Sequence, residues 1–120
     1  MFLENVSYTP HGAHARKHVS GSEPFALGHY AGNPIYPGVH SLQLMLELSG
    51  GLLEREGKGA PSRTRITRTQ YLDVIRPGDV LEVEVEIGKR DETEIRITAR
   101  ICANGVLKTR GTFDYEFHKE

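Results

Sequence analysis

Residues 79–88, DVLEVEVEIG, alternate without a break. Leu81, Val83, Val85 and Ile87 fall on one side, Glu82, Glu84 and Glu86 on the other. Period 2 of this kind belongs to an extended strand with one dry face and one wet face. A second run, TEIRITARICA at 93–103, sets Ile95, Ile97, Ala99 and Ile101 on its dry side. Asn104-Gly105 follows, a dipeptide suited to a tight hairpin because both residues tolerate positive φ. VLKTRGTFDYEFH at 106–118 then carries Leu107, Phe113, Tyr115 and Phe117 in phase. The three runs define an antiparallel meander with one apolar face, and that face needs a cover. RTRITRTQYLDVI at 63–75, closed by the turn Arg76-Pro77-Gly78-Asp79, reads as a further strand.

The cover lies upstream. Residues 38–56 read as a helix, opened by Pro37-Gly38 and stopped by Gly57. Its apolar residues, from Val39 and Leu42 through Leu53, spread over more than one face, which predicts a largely buried helix. Three polar residues interrupt it: His40, Gln43 and Glu47 fall on one stripe, expected to face a cavity or an interface. One long helix and one antiparallel sheet give an α+β domain in which the sheet wraps the helix. No repeat or linker divides the chain, so residues 1–120 are expected to form a single domain.

Several function classes recede. The net charge of −1 gives no global basic field for nucleic acid. No apolar run approaches the roughly 18 residues of a membrane span, and the N-terminus lacks the basic and apolar regions of a signal peptide. Cys102 is the single cysteine, so neither an intrachain disulfide nor a cysteine-based zinc site is expected. A reducing, cytoplasmic setting fits. Residues 1–18 show no clear period but hold His11, His14 and His18. The HxxH spacing at 11 and 14 has no accompanying carboxylate or cysteine cluster, so no metal or cofactor is expected.

The chemistry-bearing stretch is GHYAGNPIYPGVHSLQLMLE at 28–47. An isolated histidine before a Gly/Pro loop is ordinarily a turn residue, and a glutamine in an apolar helix is ordinarily a satisfied polar group. The combination is more specific. The backbone N–H groups of Gly38 and Val39 open the helix without intrahelical acceptors and carry the positive end of its dipole. Such groups hold a developing oxyanion. An imidazole nearby, at His29, titrates near neutrality and suits removal of a proton next to a carbonyl. Proton abstraction alpha to a thioester is the reaction class these parts indicate.

The stretch SEPFALGHYAGNPIYPGVHSLQLM at 22–45 resembles the signature of the 3-hydroxyacyl-carrier-protein dehydratases of fatty acid synthesis. Glu23, Phe25, Gly28, His29, Gly32, Pro34, Pro37, Gly38 and Val39 carry the likeness. YLDVIRPGDVLEVEV at 71–85 resembles that family's strand–turn–strand, through Arg76, Pro77, Gly78 and Asp79. The resemblance spans roughly residues 17–117. It implies the hot-dog fold, a dimer with sites at the subunit interface, and a family N-terminal Pro-His-Arg segment that is shortened or absent here. It also implies His29 as the base and Gly38 as the donor to the thioester carbonyl; Val39 and His40 next to it are candidate substrate-binding residues, and His40, on the stripe of Gln43, reads as a second base or as a group that bonds the backbone or lines the interface.

The family's acid stands on the helix fourteen positions after the histidine, and here that position is Gln43; the family often carries Gln one turn later, where this chain has Glu47. A glutamine orients a hydroxyl but has no acidic proton to deliver. The resemblance therefore leaves several activities. One is a dehydratase whose proton comes from a buried Glu47 or from protonated His29. Another is an enoyl-thioester double-bond isomerase using His29 alone. A third is a low-activity partner subunit in a heterodimer with another hot-dog chain. A thioesterase is a more distant reading. The substrate is expected on the phosphopantetheine arm of an acyl carrier protein, or on coenzyme A. Carrier proteins of this kind are acidic, so Arg63, Arg65 and Arg68, with Lys58 close by, form a candidate docking cluster.

Overall fold

The computed structural model describes residues 3–19 and 38–118. Six strands and one helix follow in the order β1 (Glu4–Thr9), β2 (Gly12–His18), α1 (Gly38–Arg55), β3 (Arg63–Tyr71), β4 (Val80–Arg90), β5 (Glu94–Ala103) and β6 (Val106–Glu116). All strands join one antiparallel sheet, ordered β1-β2-β4-β5-β6-β3. β3 therefore stands at one edge, beside β6, although it precedes β4 in the chain.

The period-2 runs decide the register. Leu81 faces Ala103, Val83 faces Ile101, Val85 faces Ala99 and Ile87 faces Ile97 across β4 and β5. Ile95 and Ile97 face Tyr115 and Phe113 on β6. These residues are buried and form one core with Leu44, Met45, Leu48, Leu52 and Leu53 of α1. The hairpin between β5 and β6 is built on Asn104 (φ 52°) and Gly105 (φ 74°), the left-handed pair expected of this dipeptide.

Four expectations are corrected. α1 is amphipathic rather than buried all round: Leu44, Met45, Leu48, Leu52 and Leu53 face the sheet, whereas Val39, Gln43 and Glu47 are exposed. Apolar Val39 is 58% exposed, so the breadth of the apolar pattern exceeds what one chain's sheet covers. The helix ends at Arg55, as Gly57 takes φ 79° and its N–H turns back to Glu54 O. The strand expected over 63–75 ends at Tyr71, because Leu72 and Asp73 both turn their N–H groups onto Lys108 O. The unassigned N-terminal segment forms the β1–β2 hairpin. Its signal was weak because β1 is mostly exposed, with Val6 43% accessible, and only Ala13 and Ala15 of β2 enter the core.

Candidate active site

The first turn of α1 holds no acidic residue, so none of its own carboxylates offsets the positive end of the helix dipole there. Tyr71, the last residue of β3, packs on this end. A Cβ added at Gly38 would lie 2.9 Å from Tyr71 Cε1 and 3.0 Å from Cζ, so the ring occupies the space a side chain would need. Thr69 precedes Tyr71 by two and shares its face of β3. Its Oγ1 is buried with no hydrogen-bond partner among the described residues. Neither residue was singled out from the sequence, because only the sheet order, with β3 at an edge, and the packing of its last residue on Gly38 show where they stand.

Gln43 and Glu47 follow at helical intervals. Along the axis, Gln43 lies about 7.5 Å and Glu47 about 13.5 Å from Gly38. Helical side chains lean toward the N-terminus, which brings the Gln43 amide back toward Gly38 and leaves Glu47 a turn behind. Among the described residues Glu47 is exposed, against the expectation of a buried acid. His40 is half-buried. His29, with Glu23, Phe25, Gly28, Gly32, Pro34 and Pro37, lies outside the described residues.

Both flanks of that segment are held by one neighbourhood. At its start, Val19 donates its N–H to Asp79 O (2.9 Å) and accepts from Gly78 N–H (2.7 Å). The turn that does this is self-braced: Asp79 Oδ2 accepts from Arg76 N–H at 2.9 Å, and Gly78 takes φ 94°. At its end, Gly38 sits under Tyr71. Residues 71–79 thus contact the chain on either side of the histidine-bearing stretch, the Gly78-Asp79 turn at Val19 and Tyr71 at Gly38.

Arg63, Arg65 and Arg68 are all exposed on β3. A bulge between Ile66 and Arg68 adds Thr67, whose Oγ1 donates to Asp114 Oδ2 at 2.7 Å on the face away from α1. The extra residue returns Arg68 to the face shared by Arg65, which pairs with Glu116 at 3.1 Å. Lys58 instead lies over the Phe117 ring, 5.5 Å from its centroid. Asp114 is 2% exposed and held by Arg96 through two hydrogen bonds of 2.7 and 3.0 Å. Arg96 first, and Thr67 after it, lower its carboxyl to about 2 against the opposing effect of burial. His14, opposite Glu84 on the outer side of β2, brings its Nε2 against the carboxylate of Glu82, which accounts for one of the HxxH histidines. No group of three or more potential metal ligands occurs among the described residues. No helix there is long and apolar enough to cross a membrane.

Among the described residues one helix is cradled by a six-stranded antiparallel sheet, with a histidine-bearing Gly/Pro sequence preceding the helix start, an arrangement that defines a hot-dog domain. Solved structures share the fold. The ApeI:P dehydratase heterocomplex of Xenorhabdus doucetiae superposes with a TM-score of 0.75 at 16% identity, covering 96% of each chain. The smu.793 protein of Streptococcus mutans, bound to acetyl CoA, superposes with a TM-score of 0.80 at 15% identity, over 100% of this chain and 91% of that one.

Sequence narrows the class. The chain belongs to the ApeI-like dehydratase family, whose model matches residues 5–109. The 3-hydroxyacyl-[acyl-carrier-protein] dehydratase FabZ of Pseudothermotoga lettingae is 39% identical over 101 residues, 83% of this chain and 72% of that enzyme.

Proposed function

We propose that this chain dehydrates 3-hydroxyacyl thioesters carried on acyl carrier protein to trans-2-enoyl thioesters, in fatty acid or polyketide synthesis in the cytoplasm. The observation that carries the reading is the Gly38 end of α1, with no acid in its first turn and packed under Tyr71, within a sequence that matches dehydratases on both sides of it. The thioester oxygen accepts from the helix-opening N–H groups, which lowers the cost of charge at C2. His29 takes the C2 proton. Gln43 hydrogen-bonds the C3 hydroxyl, and the imidazolium returns its proton to that oxygen as the C3–O bond breaks and water leaves. One imidazole then serves as base and acid in turn, and Glu47 is left one turn too far for direct proton delivery.

The active unit is a dimer closed on the β3 edge. Exposed Val39, Ile66, Tyr71 and Leu72 gather on β3, just beyond it and at the start of α1, an apolar surface of the kind a subunit covers. Arg63, Arg65 and Arg68, on the outer face of the same edge strand, are the docking surface for the acidic carrier. Gln43 at the acid position favours a second reading, in which a different hot-dog chain occupies that edge and supplies the missing carboxylate.

The test incubates purified protein with a 3-hydroxyacyl thioester and, separately, with a conjugated enoyl thioester, followed by mass spectrometry and proton NMR. Loss of water from the first, abolished in His29→Ala, is the expected result. A moved double bond in the second without any dehydration would replace this reading with isomerisation. Inactivity on both, relieved by a co-purifying hot-dog subunit, would establish the mixed dimer.

A further inference from the structure

The face of the sheet turned away from α1 carries an arrangement the proposed proton transfers do not use. Arg100 of β5 stands directly opposite Arg110 of β6. Like charges in a direct cross-strand pair destabilise a sheet. Arg68 of β3, opposite Thr112, stands diagonal to Arg110 on the next strand. Three guanidinium groups thus converge from three adjacent strands.

Their compensation is incomplete. Glu84 engages Arg100 alone, at 2.8 and 3.2 Å. Arg110 donates only to the neutral amide of Gln70, at 2.5 Å. Among the described residues, neither Arg68 nor Arg110 pairs with a carboxylate. The three line a groove of about 830 Å³, with the hydroxyl-bearing Thr98 and Thr112 on its floor and Glu84 and Glu86 on the β4 wall. The acids therefore leave the β6–β3 side as the cationic end.

We propose that this end of the groove binds a phosphoryl group, held by Arg110, Arg68 and Thr112, with Arg100 completing the positive wall. A carboxylate presents two oxygens, which one guanidinium fork satisfies. A phosphoryl group presents three acceptor oxygens, which matches two forks and a hydroxyl. The ligand comes either as free phosphate or as the phosphate of a larger molecule, a pantetheine arm included. The site lies across the sheet from the helix, and its test does not depend on the catalytic assignment.

The experiment is thermal denaturation of the intact protein in inorganic phosphate, in coenzyme A and in chloride at matched ionic strength. Phosphate at about tenfold its Kd is expected to raise the Tm by about 4 °C over chloride. A larger response to coenzyme A at equal concentration assigns the site to an organic phosphate; an equal response assigns it to the phosphoryl group itself. Arg110→Gln removes the like-charge pair, so its Tm in chloride is expected to equal or exceed the parent's while its phosphate affinity falls at least tenfold. Arg68→Gln, outside that direct pair, gives an independent loss of response. A phosphate shift no larger than chloride's, a shift unchanged in both variants, or an equal shift with polyglutamate would overturn the proposal.

Discussion

Replacing Gly38 by Ala tests the packing on which the site reading rests. The new methyl would stand 2.9 and 3.0 Å from two Tyr71 ring carbons. Non-bonded carbons settle at about 3.5–4.0 Å, so the ring must retreat by roughly half an ångström or more. Overpacking of this order costs about 1–3 kcal/mol, and the half-exposed ring, free to yield toward solvent, argues for the lower part of that range. Against it stands alanine's higher helix propensity, worth up to about 1 kcal/mol and less in the first turn. The net expectation for Gly38→Ala is a loss of about 0–2 kcal/mol. In a Tyr71→Ala background the clash is gone, and the same substitution becomes neutral or stabilising by up to about 1 kcal/mol. Urea denaturation of the four proteins gives the coupling as a double-mutant cycle, expected at about 1–3 kcal/mol. Equal effects of Gly38→Ala in both backgrounds, within about 0.5 kcal/mol, would refute the claim that Tyr71 fixes this position as glycine.

Further predictions concern other parts of the molecule. Gln43→Glu restores an acidic proton at the family's acid position and is expected to raise the dehydration rate at least about tenfold, given the usual 10²–10⁴-fold worth of a general acid; steady-state kinetics showing no gain would place proton delivery elsewhere. Asp114→Asn should cost up to about 2 kcal/mol at pH 7, a ceiling set by the drop of its carboxyl from 3.8 to about 2 and reduced by solvent around Arg96. Because that carboxyl is depressed, the stabilisation is full above about pH 4 and fades as pH falls toward 2, so the stability gap between parent and variant should close over that interval in acid titrations. Leu48→Ala, at a position 2% exposed beneath α1, should cost about 2–5 kcal/mol by chemical denaturation; a loss below 1 kcal/mol would mean the helix face is assigned wrongly.

The meander was legible because each of its strands buries one face completely, so Val83, Val85, Ile97 and Phe113 had no other place to go. The β1–β2 hairpin was not, because only two alanines of β2 are buried in the core, while polar pairs tie β1 to β2 through Glu4–His18 and β2 to β4 through Arg16–Glu82. The breadth of the apolar pattern on α1 predicts a largely buried helix, whereas Val39 is 58% exposed, because sequence spacing does not say which part of an apolar surface the chain's own sheet covers. Gly38 was found through its motif, but its companion Tyr71 sits far along the sequence and was invisible to spacing. The bulge at Thr67 escaped notice for a similar reason: only pairing with β6 shows that one residue is extra, and only the extra residue brings Arg68 round to the arginines of the outer face.

The short run from Tyr71 to Asp79 supplies no atom to the proposed proton transfers, yet it touches the chain immediately before and immediately after the segment bearing His29. It works as a jig. Residues far apart in sequence, Val19 and Gly38, are set against one short stretch, so both ends of the segment that carries the proposed base are anchored from outside it. Transplanting residues 20–40 into another hot-dog domain would therefore move the reactive groups but not their alignment. The portable unit of this activity is two pieces of chain, and a library that varies only the first would be searching half of the determinant.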